Sequence, residues 1–365
     1  MSKKLRVAVV GLGIGKAHLQ GYAEVPELFD VVAVCDLDEA KAREAAAKFG
    51  VPHVTTDFAS LLSGDKVDII DICTPPHIHR ELIEQTLAAG LHAICEKPLV
   101  GSLADADAIA AAQAQAKGVL FPIFQYRFGH GLQKLKHLQA KGFAHTPFLT
   151  TVETSWRRDA DYYAVEWRGK WATELGGCCL THAIHAHDIL TYVNGPIKSL
   201  YANLATRVNK VEAEDCAAIS VRMKNGSVAT LAVTLGAAEE LSRIRFMFSD
   251  LTVESRSTHP YRPGDDPWHF KGKSAEIDAA IEAALQDFVP RHSSFAGQFE
   301  LIYDTLVNGA ETPVTLSDAR QSLELITAIY HSAETGNAIQ LPIAADHPRY
   351  SDWVPASRRF GFGNE

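Results

Sequence analysis

Leu5-Arg6-Val7-Ala8-Val9-Val10-Gly11-Leu12-Gly13-Ile14-Gly15-Lys16 stands almost at the start of the chain and decides how the rest is read. Residues 5–10 form the apolar run expected of a central parallel strand, which neighbours cover on both faces. The glycines suit a tight turn, and residues 16–24 read as a helix. Further along, residues 31–35 end at Asp36, and an alanine-rich helix over 39–49 is stopped by Gly50. Residues 67–73 close on Thr74-Pro75-Pro76, and residues 77–89 read as helix with Gly90 as its cap. Residues 91–95 run into Glu96-Lys97-Pro98, and a helix over 103–116 and a strand over 119–125 complete the series. Strands alternating with helices of this length predict right-handed βαβ units in a doubly wound parallel sheet. Ligands of such sheets lie beyond the carboxyl ends of the strands. That rule alone singles out the glycine turn, Asp36, Thr74-Pro75, Glu96-Lys97-Pro98 and Gln125-Tyr126-Arg127.

After residue 128 the pattern changes. A helix over 132–141 and a strand over 148–156 precede an aromatic, arginine-rich loop over 156–171, and a helix is expected over 180–193. Alternating segments at 199–206, 216–223, 227–234 and 244–248 predict a large, mostly antiparallel open sheet, and helices over 274–288, 295–307 and 317–335 follow. The expected organisation is a first α/β domain over 1–126, a second α/β domain over 127–345 and an extended carboxyl-terminal arm over 346–365. The chain has 365 residues and a net charge of −9, with 47% apolar and 22% charged residues. This is globular material, and its acidic balance argues against a nucleic-acid partner. No apolar run approaches the ~20 residues of a membrane span, and no signal-peptide layout is seen, so a cytoplasmic protein is expected. Six sparse cysteines read as free thiols.

Gly11-x-Gly13-x-Gly15 lies between strand and helix, where glycines let the backbone of Gly11, Leu12, Gly13 and Ile14 approach a pyrophosphate. The third glycine comes one residue earlier than in the usual G-x-G-x-x-G. Asp36 ends the second strand, where a carboxylate accepts the ribose hydroxyls and repels a 2′-phosphate. It would equally serve as a cap for the next helix. No arginine follows it, and the pattern selects NAD over NADP.

Gly11-Leu12-Gly13 with His18, Asp36, Thr74-Pro75-x-x-x-His79 and Ala89-Gly90-Leu91-His92 leading to Glu96-Lys97-Pro98 resembles the glucose–fructose oxidoreductase/inositol dehydrogenase (Gfo/Idh/MocA) family. Gly176-Gly177 before His185 and Asp188 resembles its second signature. The resemblance implies a Rossmann domain followed by an α/β domain whose open sheet makes oligomer contacts. It also implies a catalytic role for Lys97 and His185, a structural one for Asp188, and a cofactor or substrate contact for Arg127. The family often has aspartate where Thr181 stands, a difference that bears on substrate.

Lys97, at a strand end before a proline, is of the type that donates to a substrate oxygen, with Glu96 orienting it or touching the cofactor. With Thr74, Pro75, His79 and Gln125 these complete the expected cofactor edge. His182 and His185 stand three apart and would share one helix face, serving proton transfer or, less well supported, a metal. No metal is expected. Tyr163, Trp167, Arg168, Thr181 and His182 are candidate sugar contacts, since flat rings stack on sugar faces and guanidinium groups bind anions. These residues would equally seal an aromatic interface. The expected activity is NAD-dependent interconversion of a secondary alcohol and a ketone on a sugar, cyclitol or sugar derivative, in a cleft between the domains. The rivals are a non-catalytic dinucleotide or sugar sensor and a metal-assisted lyase or hydrolase. The partners expected are the small substrate and further copies of the chain, as a homodimer or homotetramer through the second-domain sheet, with no membrane.

Overall fold

A computed structural model of the chain describes residues 3–63, 66–256 and 260–356. The chain divides into two compact units, one made of residues 1–125 and 292–320, the other of 126–291 and 321–365.

The first unit is built on β1 (Leu5–Val10), β2 (Phe29–Cys35), β3 (His53–Thr55), β4 (Ile69–Ile72), β5 (His92–Cys95) and β6 (Leu120–Pro122). They form a six-stranded sheet in the order β3-β2-β1-β4-β5-β6, with every pairing parallel. The order reverses next to β1, which places the crevice for a ligand beyond the ends of β1 and β4. The helix Glu39–Phe49 shows how local sequence sets its limits. Asp38 accepts the Lys41 N–H at 3.1 Å to open it, and Gly50 at φ 70° closes it. β3 is three residues long and unremarkable in sequence.

A second domain running unbroken over 127–345 is corrected by the structure. Residues 292–320 return to the first unit because the helix Ser294–Asn308 carries Phe295, Ala296, Phe299, Ile302 and Tyr303 on one face. That face packs into the same core as Val7, Val9, Leu19, Tyr22 and Phe29. Tyr22 and Phe299 stack with ring centroids 4.1 Å apart.

The second unit holds β7 (Pro147–Arg157), β8 (Ile197–Ala205), β9 (Cys216–Met223), β10 (Val228–Thr234), β11 (Gly236–Phe248), β12 (Leu251–Ser255), β13 (Trp268–Gly272) and β14 (Ile339–Gln340). The order is β13-β12-β11-β7-β10-β9-β8-β14, antiparallel throughout except for the parallel pair β7 and β10. The expected architecture, a doubly wound parallel sheet with a mostly antiparallel open one, is the one observed. Along β9 and β10 burial alternates: Ile219, Val221, Leu231 and Val233 face the core, and Ala218, Ser220, Thr230 and Ala232 face outward. The helix Ile184–Asn194 lies on the inner face, where Asn194 donates to Thr150 Oγ1 at 2.7 Å.

Two expectations for this unit are revised. The helix predicted over 180–193 is two helices, Cys178–Thr181 and Ile184–Asn194. The Ala183 N–H reaches back five residues to the Cys178 carbonyl at 2.9 Å, and this wide turn shifts the phase between His182 and His185. The arm over 346–365 is docked rather than extended over its described part. Trp353 is fully buried with its indole donating to the Leu175 carbonyl at 2.8 Å, and Arg349 pairs with Glu334. Residues 357–365 lie outside the described residues.

Candidate active site

At the carboxyl edge of the parallel sheet, Gly11 is held at φ 90°, and a Cβ there would lie 2.7 Å from the Cys73 carbonyl oxygen. Only glycine allows β1 to turn so close to β4. Gly13 opens onto space, with nothing within 4 Å of where its Cβ would stand. Asp36 ties this turn to β2: it accepts the Leu12 N–H at 2.7 Å and the Asp38 N–H at 3.0 Å, and pairs with Lys41 at 2.9 Å. Burial alone would raise its pKa, but these donors and the Lys41 charge hold the carboxyl below its usual range. The helix cap is Asp38, so Asp36 is left to the turn. Lys41 went unnoticed in the sequence because only its helix position, five residues on, aims it back at Asp36.

Beneath the turn lies a buried charge network. His18 contacts Asp71 through Nδ1 at 2.8 Å and Glu96 through Nε2 at 3.1 Å, and Tyr22 donates to Asp71 at 2.9 Å. Phe295 and Phe299 flank the imidazole at 4.3 and 5.5 Å. Burial would push the His18 pKa down, yet Asp71, with a smaller effect from Cys73, lifts it well above the ordinary histidine value. His18 is therefore an imidazolium donating to two carboxylates. The other Glu96 oxygen accepts the Lys97 N–H at 3.0 Å, so the network ends on the backbone of the lysine. The Lys97–Pro98 peptide is cis. His79, expected at the cofactor, is buried with its ring nitrogens 2.9 Å from the Pro98 carbonyl and 2.8 Å from the Thr74 carbonyl. It clamps the two strand-end loops together.

Two buried oxygens on this edge, Thr74 Oγ1 and Gln125 Oε1, have no hydrogen-bond partner among the described residues. Buried polar atoms are normally satisfied, so with the space at Gly13 they fit the edge of a bound dinucleotide. Pro75 lies beside Thr74 and opens a short turn.

The second unit places its candidate residues in two groups. His185 stacks on Tyr126, centroids 4.5 Å apart. Three residues on, Asp188 takes both Nε and Nη2 of Arg127 at 2.7 and 2.6 Å, and Tyr192 lies 4.7 Å from the same guanidinium. Arg127 is thus buried in a bidentate pair with Asp188 on the His185 helix. His187 is buried with its pKa pushed down to about 3 by burial, so it stays neutral. The second group surrounds His182, which Trp156 and Tyr162 approach at 5.4 Å each. Thr181 Oγ1 donates to the Gly177 carbonyl at 2.8 Å and therefore accepts from His182 Nδ1 at 2.6 Å. His182 Nε2 is left to accept from Arg158 Nε at 3.2 Å. His182 ends the helix Cys178–Thr181 and His185 stands in the next helix, so the two are not three apart on one continuous helix.

The Gly176-Gly177 signature has a local reason. A Cβ on Gly177 would lie 2.0 Å from the Glu214 carbonyl oxygen and 2.5 Å from its carboxylate. Glu214 holds the following turn by accepting the Cys178 N–H on its carbonyl at 2.9 Å and the Cys179 N–H on its carboxylate at 3.0 Å. Burial raises its carboxyl pKa to about 7. Trp167 and Arg168 sit together, 4.7 Å apart, with Arg168 also 3.9 Å over Tyr162, and Tyr162 meets Tyr163 edge-on at 5.0 Å. The sequence missed Glu214. The pair Glu214-Asp215 before β9 was the available signal, since adjacent acids at a strand start seldom lack a backbone duty.

Comparison with known proteins agrees with this architecture. Residues 5–124 match the oxidoreductase family with an NAD-binding Rossmann fold, GFO_IDH_MocA, and residues 132–254 match the GFO/IDH/MocA C-terminal domain. The chain is 28% identical to D-apiose dehydrogenase of Paraburkholderia graminis, over 93% of this chain and 90% of the other. It is also 28% identical to myo-inositol 2-dehydrogenase of Thermotoga maritima, over 62% and 67%. Among solved structures, the WlbA dehydrogenase of Bordetella pertussis in complex with NADH and UDP-GlcNAcA superposes with a TM-score of 0.81 at 27% identity. That match covers 94% of this chain and 100% of the other. With both halves of the family matched in order, the glycine turn and the Glu-Lys-Pro strand end in place, the chain belongs to the Gfo/Idh/MocA family of NAD-dependent oxidoreductases.

Proposed function

We propose that this oxidoreductase interconverts a secondary alcohol and a ketone on a sugar, cyclitol or sugar derivative, with Lys97 and His185 as the groups that handle the hydroxyl proton. The observation that carries the assignment of Lys97 is its backbone tether. Its N–H is fixed by Glu96, which His18 and Asp71 hold in turn, beside the dinucleotide edge of its own unit. NAD, when bound, accepts hydride from the carbinol carbon or returns it as NADH. Lys97 donates to the substrate oxygen and stabilises negative charge developing there. His185, oriented by Tyr126 and by the Arg127–Asp188 pair behind its helix, exchanges the proton with the substrate hydroxyl. Thr181 and His182 orient neighbouring hydroxyls, and Trp167, Tyr163 and Arg168 contact the sugar body. Relatives named for apiose, inositol and levoglucosan support the substrate class.

The test is appearance of the NADH absorbance band when NAD and panels of sugars, cyclitols, sugar acids and nucleotide sugars are mixed with the protein. NADH binding without turnover on any of them would leave the sensor as the better reading. We further propose a cytoplasmic homodimer or homotetramer joined through the outer face of β9 and β10. Small outward residues such as Ala218, Ser220, Thr230 and Ala232 leave room there for a second sheet. Sedimentation at micromolar concentration should give two or four copies, and a monomer would refute that assembly. Among the described residues no helix is long and apolar enough to cross a membrane.

A further inference from the structure

The surroundings of His182 carry more positive charge than a neutral sugar needs. The Arg158 guanidinium lies 5.2 Å from the Trp156 ring, 4.8 Å from Tyr162 and 5.4 Å from Tyr261. Arg168 approaches the same Tyr162 at 3.9 Å. Two cations thus converge on one tyrosine in a protein whose net charge is −9. Arg158 is also oriented: Nε donates to His182, and Nη1 donates to the Arg157 carbonyl at 2.7 Å and to the Tyr261 hydroxyl at 3.2 Å.

Each arginine has a carboxylate countercharge, but loosely held. The Arg158–Glu240 contact is 3.5 Å, and the same Glu240 oxygen accepts the Arg157 N–H at 3.0 Å. The Arg168–Glu174 contact is 3.8 Å, and the other oxygen of Glu174 accepts the Gly169 N–H at 2.5 Å. Neither ion pair is a good hydrogen bond. Burial lowers the Arg168 pKa; Glu174 opposes this and the Arg158 charge adds to it, as expected of like charges with too little anion between them. The side chains keep 12% and 25% of their surface open to solvent, so a small anion reaches them. If these arginines served only to stack on aromatic rings, close hydrogen-bonded carboxylates would be expected beside them in so acidic a chain.

We infer that Arg158 and Arg168 form a subsite for an anionic oxygen group, carboxylate or phosphate, on the substrate, so that the protein acts on an acidic sugar derivative in preference to its neutral counterpart. This rests on the sugar-oxidoreductase reading and narrows it. His182 has a defined part as the neutral acceptor that fixes the plane of Arg158. With Nε and Nη1 engaged in this way, the Nη2 end of the fork is the part turned over to a carboxylate or phosphate.

The test uses the full chain with NADH or NAD and matched probes: D-glucose, D-glucuronate and D-glucose 6-phosphate; D-galactose and D-galacturonate; UDP-glucose and UDP-glucuronate. Binding to the NADH complex is read by calorimetry and turnover with NAD by absorbance. An acidic member should bind at least about tenfold tighter than its neutral partner, and rising salt should weaken it. Arg158→Gln and Arg168→Gln should each weaken that acid about 10- to 100-fold, in KM more than kcat, and weaken it at least about tenfold more than the neutral partner, leaving NADH affinity unchanged. Arg158→Lys, which keeps the charge but loses the fork, should fall between. A response to the uronates assigns a carboxylate, and a response confined to the 6-phosphate or the nucleotide sugars assigns a phosphate. Equal binding of acid and neutral members, or equal loss on both in the variants, overturns the subsite while the oxidoreductase reading stands. Acids that bind through the arginines but never exchange hydride overturn that reading and keep the subsite. No binding by any probe overturns both.

Discussion

The first unit and the second both gather charged side chains around a histidine, and they do so in opposite ways. Around His18 every charge is matched at 2.8–3.1 Å, sealed by phenylalanines and closed to solvent. Around His182 the arginines are stacked on rings, partly open, and met by carboxylates only at 3.5 and 3.8 Å. A buried ion group must be complete, because a lone charge there costs several kcal/mol. A half-open one tolerates an unmet charge that a ligand then satisfies. The His18 group is thus electrostatically complete on its own, and the His182 group, on the inference above, is completed by what it binds.

The sharpest way to break this contrast is at Lys97, where the finished network ends. Lys97→Ala should lower kcat on the true substrate by about 10²–10⁴-fold, the range of general acid–base assistance, with NADH affinity nearly intact. A variant keeping more than about a tenth of wild-type kcat, well short of that range, would remove Lys97 from proton transfer. Loss of NADH binding as well would reduce it to a cofactor anchor.

His18→Gln tests whether the network is as complete as its distances imply. Removing the cation between Asp71 and Glu96 should cost about 3–5 kcal/mol of unfolding free energy, read by denaturant titration. The pH dependence has a definite sign. Because the folded-state pKa of His18 is raised, its contribution is complete below the unfolded value of about 6.5 and is lost as pH rises through the folded value. From about pH 6.5 upward, wild type should therefore lose stability relative to His18→Gln. A constant difference across that window would mean that the imidazole is neutral.

Cofactor choice comes next in size. NAD should bind at least about tenfold better than NADP, about 1.4 kcal/mol, because Asp36 repels a 2′-phosphate. Asp36→Ala should narrow the gap by releasing Lys41 toward the phosphate, and Asp36→Ala with Lys41→Ala should give back part of that gain. Paired titrations with NADH and NADPH decide it. The smallest effect serves as a control: Asp38→Ala removes a helix cap outside the network and should cost only about 1 kcal/mol. A loss as large as that of His18→Gln would show that charge burial in this unit is nothing special.

The parallel sheet was legible because each strand ends in residues with a distinct duty. The helix Glu39–Phe49 keeps its expected bounds and its stop at Gly50, with Asp38 rather than Asp36 as its cap, and the strand ends at Asp36, Thr74 and Glu96 announce the ligand edge. The return of the helix Ser294–Asn308 to the first unit was not legible. An apolar stripe states that a face is buried, not against which core. The break at His182 was equally hidden, since Thr181-His182-Ala183 contains no glycine or proline to announce the wide turn. The pairing of Arg127 was hidden for a related reason: its partner Asp188 lies 61 residues away. Arg158 needed the structure because its meaning depends on His182, Tyr162 and Tyr261 together.

The helix that carries Phe295 and Phe299 also sets a timetable for synthesis. When residues 1–125 have left the ribosome, the apolar side of Leu19, Tyr22 and Phe29 still lacks its cover, because that cover is encoded about 170 residues later. The amino-terminal half must wait, exposed to chaperones and to stray partners, while β7 to β13 of the second sheet are translated. A fragment cut after residue 125 should accordingly be sticky and poorly folded however complete its nucleotide motif looks, whereas one that ends after residue 320 carries every strand and helix of the first unit.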